Sequence, residues 1–266
     1  MNICFIGGGV MAEALLRGIL DKEISKPSEL LVCDPSDERR TYLEEEFSVN
    51  TSDKNDVISG FEGLIILAVK PQTISKVFSS IVGKIQDNAT VMSIVAGLTS
   101  ESINQGLEHG RIVRVMPNTP SQIGLGISVW TALPSVSDSD MESVREILKT
   151  LGDEYFVREE SLLDMSTALS ASGPAYVFLF IEAFIDSGVH LGMPRDMARR
   201  LVLQTVLGST ELVKRTGKHP AELKDMVTSP AGTTIEALVS MENDSVRAGI
   251  INGVKKAYER AIELGE

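Results

Sequence analysis

The sequence predicts an α/β protein in which an open parallel sheet is followed by an all-helical domain. The chain has 266 residues, which is long enough for two ordinary domains. As far as about Val157, short apolar runs alternate with longer mixed stretches, as strands alternate with crossover helices. Beyond that point apolar residues recur at helical spacing only. We therefore expect one domain over residues 1–157 and a second over residues 158–266.

The first domain is expected to hold six strands joined by helices. Several of these strands are continuous apolar runs, which are typical of strands that helices cover on both faces. The predicted strands are Asn2–Ile6, Leu30–Asp34, Leu64–Val69, Val91–Val95, Ile112–Met116 and Ile127–Trp130. The predicted helices are Val10–Leu20, Asp37–Phe47, Thr73–Ile85 and Ser100–Glu108. Right-handed βαβ units of this kind bind ligands at the carboxyl ends of the strands.

The second domain is expected to consist of six helices, with the polar stretch Arg158–Ser161 as the hinge before it. The predicted helices are Leu163–Ala171, Pro174–Leu191, Arg195–Thr216, Ala221–Met226, Thr234–Met241 and Ser245–Leu264. Most of the circumference of Pro174–Leu191 is apolar, which is more than one helix of a small bundle normally buries. Either a partner subunit or the other helices of the same chain cover the excess.

Charge and cysteine content narrow the class of protein. The formal net charge is −12, and such a chain repels phosphate backbones and anionic lipids, so we expect no nucleic-acid or membrane partner. The amino terminus lacks the basic start of a signal peptide, and the longest apolar run, Ala175–Ile181, is shorter than the ~20 residues of a membrane span. Cys4 and Cys33 have no metal-binding spacing. We therefore expect reduced thiols, a cytoplasmic location and no metal.

A glycine-rich turn follows the first predicted strand. Gly7-Gly8-Gly9-Val10-Met11-Ala12 matches the G-x-G-x-x-A pattern that opens a helix. Gly7 permits the tight turn, Gly9 lets the backbone approach a pyrophosphate, and Ala12 allows close packing of helix on strand. Asp34 comes at the end of the second strand, where an acid that binds ribose belongs. These features predict a Rossmann-like dinucleotide-binding domain; an ordinary glycine-rich turn is the alternative.

The sequence leaves the choice between NADH and NADPH open. Asp34 would accept hydrogen bonds from a ribose 2′-hydroxyl and would repel a 2′-phosphate. Arg39 and Arg40 could clamp that phosphate, or they could belong to a solvated helix face beside Glu38 and Glu44. We expect the site to tolerate both cofactors.

Loops after three further strands are expected at the same edge of the sheet. Ala68-Val69-Lys70-Pro71 follows the third strand and Val95-Ala96-Gly97 follows the fourth, so both should border the nicotinamide half of the cofactor. Asn118, after the fifth strand, can hydrogen-bond the nicotinamide carboxamide. Generic loops, and an Asx turn at Asn118, are the alternatives.

The run Ser229-Pro230-Ala231-Gly232-Thr233-Thr234 has the features of an anion site. Pro230 ends the preceding helix, Gly232 lets the backbone turn, and the amides of Thr233 and Thr234 open the next helix, where the dipole favours a carboxylate. A capped helix start with Thr233 as N-cap is the alternative. The sequence has no motif of a metal site or of an activated nucleophile.

Five motifs follow one another along the chain. They are Gly7-Gly8-Gly9, Ala68-Val69-Lys70-Pro71-Gln72, Met116-Pro117-Asn118-Thr119-Pro120, Ser172-Gly173-Pro174-Ala175-Tyr176 and the run from Val227 to Thr234. Together they resemble the successive signatures of the pyrroline-5-carboxylate reductase family. The resemblance implies NADPH- or NADH-dependent reduction of the cyclic imine 1-pyrroline-5-carboxylate to L-proline, the last step of proline biosynthesis. It also implies a homodimer with interleaved helical domains, sometimes assembled further into a decamer.

The resemblance also assigns roles to individual residues. Cofactor contacts are implied for Ile6, Gly7, Gly8, Gly9, Val10, Met11, Asp34, Asn55, Ala68, Val69, Lys70 and Pro71. Substrate contacts are implied for Glu160, Ser229, Ala231, Gly232, Thr233 and Thr234. The Thr234 hydroxyl would orient or protonate the imine nitrogen, which makes it the candidate catalytic group. Similar family members often carry Ser or Thr at position 34 and Gly at position 231, so this chain departs from them at both.

Two other functions remain open at this stage. The first is an imine or hydroxyacid reductase of the same two-domain plan, and the second is a dinucleotide sensor without turnover. Hydroxyacid dehydrogenases of that plan carry a lysine on the long interdomain helix, and Pro174–Leu191 contains none. The sensor would be favoured by loss of Thr234 or of the carboxylate loop, and both are present.

Overall fold

An eight-stranded sheet organises the first part of the chain in the computed structural model, which describes residues 1–264. The strands are β1 Ile3–Ile6, β2 Leu30–Cys33, β3 Asn50–Ser52, β4 Leu64–Leu67, β5 Thr90–Ser93, β6 Ile112–Met116, β7 Gly126–Ala132 and β8 Gly152–Phe156. Their order across the sheet is β3-β2-β1-β4-β5-β6-β7-β8. The winding reverses at β1, so the crevice at the carboxyl end of β1 is the expected place for a ligand.

Helices connect these strands and form the rest of the chain. They are α1 Val10–Asp21, α2 Asp37–Phe47, α3 Ile74–Ile81, α4 Ser100–Leu107, α5 Asp138–Lys149, α6 Ser161–Ser166, α7 Gly173–His190, α8 Arg195–Thr216, α9 Pro220–Met226, α10 Thr233–Asn243 and α11 Val246–Glu263. A π-helical turn over Thr167–Ala171 follows α6 directly. All ten helices that the sequence predicts are present, although the predicted Thr73–Ile85 begins as a 3-10 turn and ends at Ile81.

All six predicted strands are present, and the predicted parallel sheet is correct except at one pair of strands. β7 runs antiparallel to β6, with Val115 opposite Trp130, while β8 returns parallel to β7. Residues 117–125 connect β6 to β7, and they are too few for the crossover helix that a parallel pair requires.

Three elements escaped sequence analysis. β3 and β8 are short polar strands at the two edges of the sheet, where exposure removes the continuous apolar run. The helix α5 is preceded by the N-cap Ser137, whose hydroxyl accepts a hydrogen bond from the amide of Asp140. That capping pattern was readable in the sequence.

The core lies on both faces of the sheet because the central strands are buried on both sides. One cluster packs α1, α2 and α5 against one face around Phe5 and Trp130. The other packs α3 and α4 against the opposite face around Ile65 and Val91. This double cover explains why β1, β4, β5 and β6 are buried along their whole length.

The described chain forms two compact units. The first comprises Met1–Ser172 together with residues 257–264, and the second is Gly173–Lys256. The sequence places the boundary earlier, at residues 157/158. The segment 158–172 belongs to the first unit because α6 is tied to β6 by ion pairs from Arg114 to Glu160 and Asp164.

The second unit consists of α7 to α10 and the first part of α11. α7 packs closely on α8, since a Cβ built on Gly188 would lie 3.0 Å from the Cβ of Ala198. None of the residues 173–190, all of which are described, is buried. The large apolar side chains of α7 stay 40–67% exposed: Val177, Phe178, Leu179, Phe180 and Phe184. The described chain therefore leaves most of this helix uncovered.

Candidate active site

The glycine-rich turn lies at the carboxyl end of β1, as predicted. Gly7 adopts a φ of +99°, which favours glycine, and its amide donates a 2.8 Å hydrogen bond to the carbonyl of Cys33. A Cβ built on Gly7 would lie 2.6 Å from the carbonyl oxygen of Ala68. The turn therefore requires glycine at this position.

The N-terminus of α1 fits a bound pyrophosphate. Gly9 is the N-cap and has no side chain to accept hydrogen bonds from the first amides of the helix. A Cβ built on Gly9 would meet no atom within 4 Å, so the space in front of the helix is open. Helix N-termini of this kind bind phosphate groups through the free amides and the dipole. Gly8, Val10 and Met11 belong to the same turn.

A cavity of about 520 Å³ lies beside this turn. Eight of the predicted cofactor residues line it: Ile6, Gly7, Gly9, Asp34, Asn55, Ala68, Val69 and Lys70. Seven further lining residues were not predicted: Cys33, Pro35, Asp53, Thr73, Lys76, Val77 and Ser80. Several of these come from α3, whose Ser80 hydroxyl accepts a 3.2 Å hydrogen bond from the Asn55 amide. The expectation that ligands bind at the carboxyl ends of strands does not identify lining residues that a helix contributes.

The loop that contains Val95, Ala96 and Gly97 has a neighbour that sequence analysis missed. Gly97 adopts a φ of +77°, and a Cβ built there would lie 2.9 Å from the carbonyl oxygen of Leu264. The end of α11 therefore packs against this loop. The loop does not line the cavity at β1, so its role at the nicotinamide remains a prediction.

Asn118 has hydrogen-bond partners at both ends of its side-chain amide. The oxygen accepts a 3.0 Å hydrogen bond from the amide of Ile127, and the nitrogen donates a 3.2 Å hydrogen bond to the carbonyl of Ser170. These bonds join the β6–β7 connection to the π-helical turn. Both bonds are to residues far along the chain, so the side chain does not form the Asx turn given as the alternative. A nicotinamide contact remains a prediction.

Glu160 lies in a polar cluster within the first unit. Its Oε1 atom accepts hydrogen bonds from the Ser100 amide at 2.7 Å, the Ser100 hydroxyl at 3.1 Å and the Arg114 guanidinium at 2.9 Å. The carboxylate therefore lies at the N-terminus of α4, where the helix dipole favours it. Arg114 was not singled out in the sequence, although an arginine inside the apolar run Ile112–Met116 is a readable signal.

The proposed anion loop precedes α10 in the second unit. Gly232, not Thr233, is the N-cap, and no side chain caps the helix. The alternative with Thr233 as N-cap is therefore wrong, and the first amides of α10 are open to a ligand. Ala231 adopts a φ of +55°, a conformation that explains why glycine suits this position. The backbone carbonyl of Ser229 accepts a 3.1 Å hydrogen bond from the amide of Gly232, which closes a turn in the loop.

Comparisons with known proteins match both the amino-terminal and the carboxyl-terminal part of the chain. A family model described as pyrroline-5-carboxylate reductase dimerisation matches residues 160–264, and one described as NADP oxidoreductase, coenzyme F420-dependent, matches residues 2–97. The pyrroline-5-carboxylate reductase of Synechocystis is 41% identical and that of Escherichia coli 36% identical, each over 100% of this chain and 99% or 98% of the relative. A crystal structure of the Plasmodium falciparum pyrroline carboxylate reductase with NADP bound superposes with a TM-score of 0.91 at 32% identity, covering 100% of this chain and 98% of the other.

The fold and the glycine-rich site define an oxidoreductase that uses a nicotinamide dinucleotide, NADPH or NADH. The doubly wound sheet, the open N-terminus of α1 and the cavity beside it provide the structural basis for that class. Within it, the chain belongs to the pyrroline-5-carboxylate reductase family, since full-length relatives at 36–41% identity carry that name.

Proposed function

We propose that this chain reduces 1-pyrroline-5-carboxylate to L-proline with NADPH or NADH, the last step of proline biosynthesis. The observation that carries the proposal is the full-length match to reductases of this name at up to 41% identity. The geometry supports it in both units, because the glycine-rich turn and the open N-terminus of α10 each offer free helix amides to an anion.

The chemistry asks little of the protein beyond binding and orientation. Reduction adds a hydride to the imine carbon and a proton to the imine nitrogen, and a reduced nicotinamide, when bound, supplies the hydride. The open amides of Thr233 and Thr234 would hold the substrate carboxylate. The Thr234 hydroxyl would donate a hydrogen bond to the imine nitrogen. Positioning of this kind needs no metal and no strong general base.

The substrate-binding roles of Glu160, Ser229, Ala231, Gly232, Thr233 and Thr234 belong to this proposal. Three donors converge on the Oε1 atom of Glu160 and fix the orientation of the carboxylate that would contact the substrate. We also place the functional boundary at residues 157/158. The dimerisation model, which begins at residue 160, supports that division.

We propose a homodimer with interleaved helical domains, which can assemble further into a decamer. The helical stretch Ser161–His190 is long and apolar enough to cross a membrane by length and composition. Its most apolar window has a mean hydropathy of 1.6, and only 11% of that window is buried. A second copy of the same surface would cover these side chains. Cys4 and Cys33 are buried free cysteines, which supports a cytoplasmic location.

Oligomeric state is tested by light scattering on the purified chain. We expect a mass at least twice the 28.8 kDa of one chain. Leu179→Glu should weaken the assembly because it places a charge on the exposed face of α7. Tyr155→Glu is the control, since Tyr155 is equally exposed, at 67%, but lies outside the dimerisation domain. A monomeric wild type would contradict the proposal.

The reaction itself is tested by initial rates of NADH and NADPH oxidation, each with and without 1-pyrroline-5-carboxylate. Loss of nicotinamide absorbance that depends on the substrate supports the proposal. Cofactor binding without turnover on this substrate would favour the sensor, and turnover only on other imines or on hydroxyacids would favour a related reductase.

The role of Thr234 is tested with a pair of variants. Thr234→Ala should lower turnover about tenfold to a hundredfold, because it removes the donor to the imine nitrogen. Its cofactor dissociation constant should stay within about twofold, because the change removes a substrate contact. Thr234→Ser keeps the hydroxyl and should recover most of the rate. Equal rates for the alanine variant and the wild type would remove Thr234 from the mechanism.

A further inference from the structure

The carboxylate of Asp34 is held in place at the cavity by two backbone amides. Oδ2 accepts a 2.8 Å hydrogen bond from the amide of Gly8, and Oδ1 accepts a 2.9 Å hydrogen bond from the amide of Ser36. Asp34 also lines the cavity beside the glycine-rich turn. A ribose 2′-hydroxyl can donate to a carboxylate in this position, whereas a 2′-phosphate meets its negative charge.

Arg39 is linked to this carboxylate through Gly8. Its Nε donates to the carbonyl of Gly8, the same residue whose amide donates to Asp34. An arginine in this position is suited to bind a 2′-phosphate. Arg40 already has two partners, since its guanidinium donates to the backbone carbonyl of Asp34 at 2.8 Å and to the Asp37 carboxylate at 2.9 Å.

Arg39 is already neutralised by Glu13 on α1. Its Nη2 atom donates a 2.6 Å hydrogen bond to Glu13 Oε2, and its guanidinium lies 4.9 Å from the centre of the Tyr42 ring. Glu13 is itself held, because the Tyr42 hydroxyl donates a 2.9 Å hydrogen bond to Oε1 and Arg17 lies 3.7 Å from the same atom. Burial opposes ionisation of this carboxyl, but the hydrogen bonds from Arg39 and Tyr42 outweigh it and keep the pKa of Glu13 below its ordinary value.

We propose that Glu13 is a specificity-determining residue that, together with Asp34, makes this site prefer NADH over NADPH. Asp34 repels the 2′-phosphate, and Glu13 withholds the one arginine that contacts the same glycine. The inference deepens the proposed function, on which it rests for the identity of the cofactor. It also explains why two arginines directly after the ribose acid do not by themselves create an NADPH site.

Cofactor binding tests the proposal without requiring turnover. Dissociation constants of NADH and NADPH are measured by nicotinamide fluorescence for the full chain and its variants. The wild type should bind NADH about tenfold more tightly than NADPH or better. Glu13→Gln should improve NADPH binding about tenfold, because the freed Arg39 can form a charge-assisted hydrogen bond with the phosphate. NADH binding should change by less than about twofold.

Two controls isolate the role of Arg39. Glu38→Gln removes one negative charge from the exposed neighbour of Arg39 on α2 and should leave the ratio of the two constants unchanged. The double variant Glu13→Gln/Arg39→Met should lose the gain in NADPH binding. Thermal unfolding checks that each variant is folded. Should Glu13→Gln fail to fold, Arg39→Met alone decides the matter: the proposal expects an unchanged ratio, since Arg39 is neutralised in the wild type.

Three results would overturn the proposal. The first is a wild type that binds NADPH more tightly than NADH. The second is an improvement in NADPH binding for Glu38→Gln equal to that for Glu13→Gln. The third is an improvement in NADPH binding that persists in the double variant Glu13→Gln/Arg39→Met. Failure of the proposed function is distinguishable, because it would appear as cofactor binding of either preference without reduction of 1-pyrroline-5-carboxylate.

Discussion

Replacement of Arg114 by methionine should destabilise the first unit substantially. Arg114 lies in β6 with 2% of its side chain exposed. Its Nη1 atom lies 2.9 Å from Glu160 Oε1, and its Nη2 atom lies 2.8 Å from Asp164 Oδ1. A hydrogen bond to a charged group contributes about 1.5–3 kcal/mol, so two contribute about 3–6 kcal/mol. The two carboxylates are 31% and 27% exposed and regain hydration when the arginine is lost. After allowance for that hydration, we expect Arg114→Met to lower the free energy of unfolding by about 3 kcal/mol.

Thermal unfolding followed by circular dichroism measures this loss. For a unit of this size about 3 kcal/mol corresponds to a fall in Tm of roughly 6–12 °C. Arg215→Met is the matched control, because Arg215 is 79% exposed in its pair with Glu211 and should cost less than about 1 kcal/mol. Adding Glu160→Gln and Asp164→Asn to Arg114→Met should recover part of the loss, since no uncompensated charge then remains. A fall in Tm for Arg114→Met no larger than that of the control would refute the reasoning.

Two further predictions concern single residues. Ala231→Gly should raise stability by about 0.5–1 kcal/mol, because the φ of +55° costs alanine more than the added freedom of glycine costs the folded state; a lower Tm for the variant would contradict this. Burial of His109 outweighs the 2.9 Å hydrogen bond that its Nε2 donates to the carbonyl of Ala89, so the pKa of His109 lies below the ordinary 6.5. The unfolded chain therefore binds this proton at higher pH than the folded chain, and stability is lost as pH falls from about 6.5 toward the folded pKa. Tm should drop between pH 7.5 and pH 5.5 by less in His109→Gln than in the wild type, and equal drops would exclude His109 as the cause.

Buried strands and the cofactor turn were predictable because their signals are local. β1, β4, β5 and β6 are covered on both faces, and such strands appear in a sequence as continuous apolar runs. The glycine-rich turn was predictable because Gly7 needs its φ of +99° whatever else the chain does. The edge strands β3 and β8 lack this signal, because part of each strand is exposed to solvent and carries polar residues.

The role of a side chain was predictable only where its partners lie close to it in the sequence. The side-chain nitrogen of Asn118 donates a hydrogen bond to the carbonyl of Ser170, a partner far along the chain that the sequence did not indicate. Arg39 was expected either to bind phosphate or to be solvated, and Glu13 on another helix pairs with it. Neither partner could be inferred from spacing, because a hydrogen bond depends on which elements the fold brings together.

The sequence by itself determined the class of this protein. Apolar periodicity, the G-x-G-x-x-A turn with Asp34 after the second strand, and the loop from Ser229 to Thr234 are local patterns, and each follows from the conformation or burial of a few consecutive residues. Tertiary structure alone decided that β7 reverses direction, that Arg114 is buried between two carboxylates, and that Glu13 neutralises Arg39. These outcomes depend on the distance between groups that are remote in the chain, and only the folded backbone sets that distance.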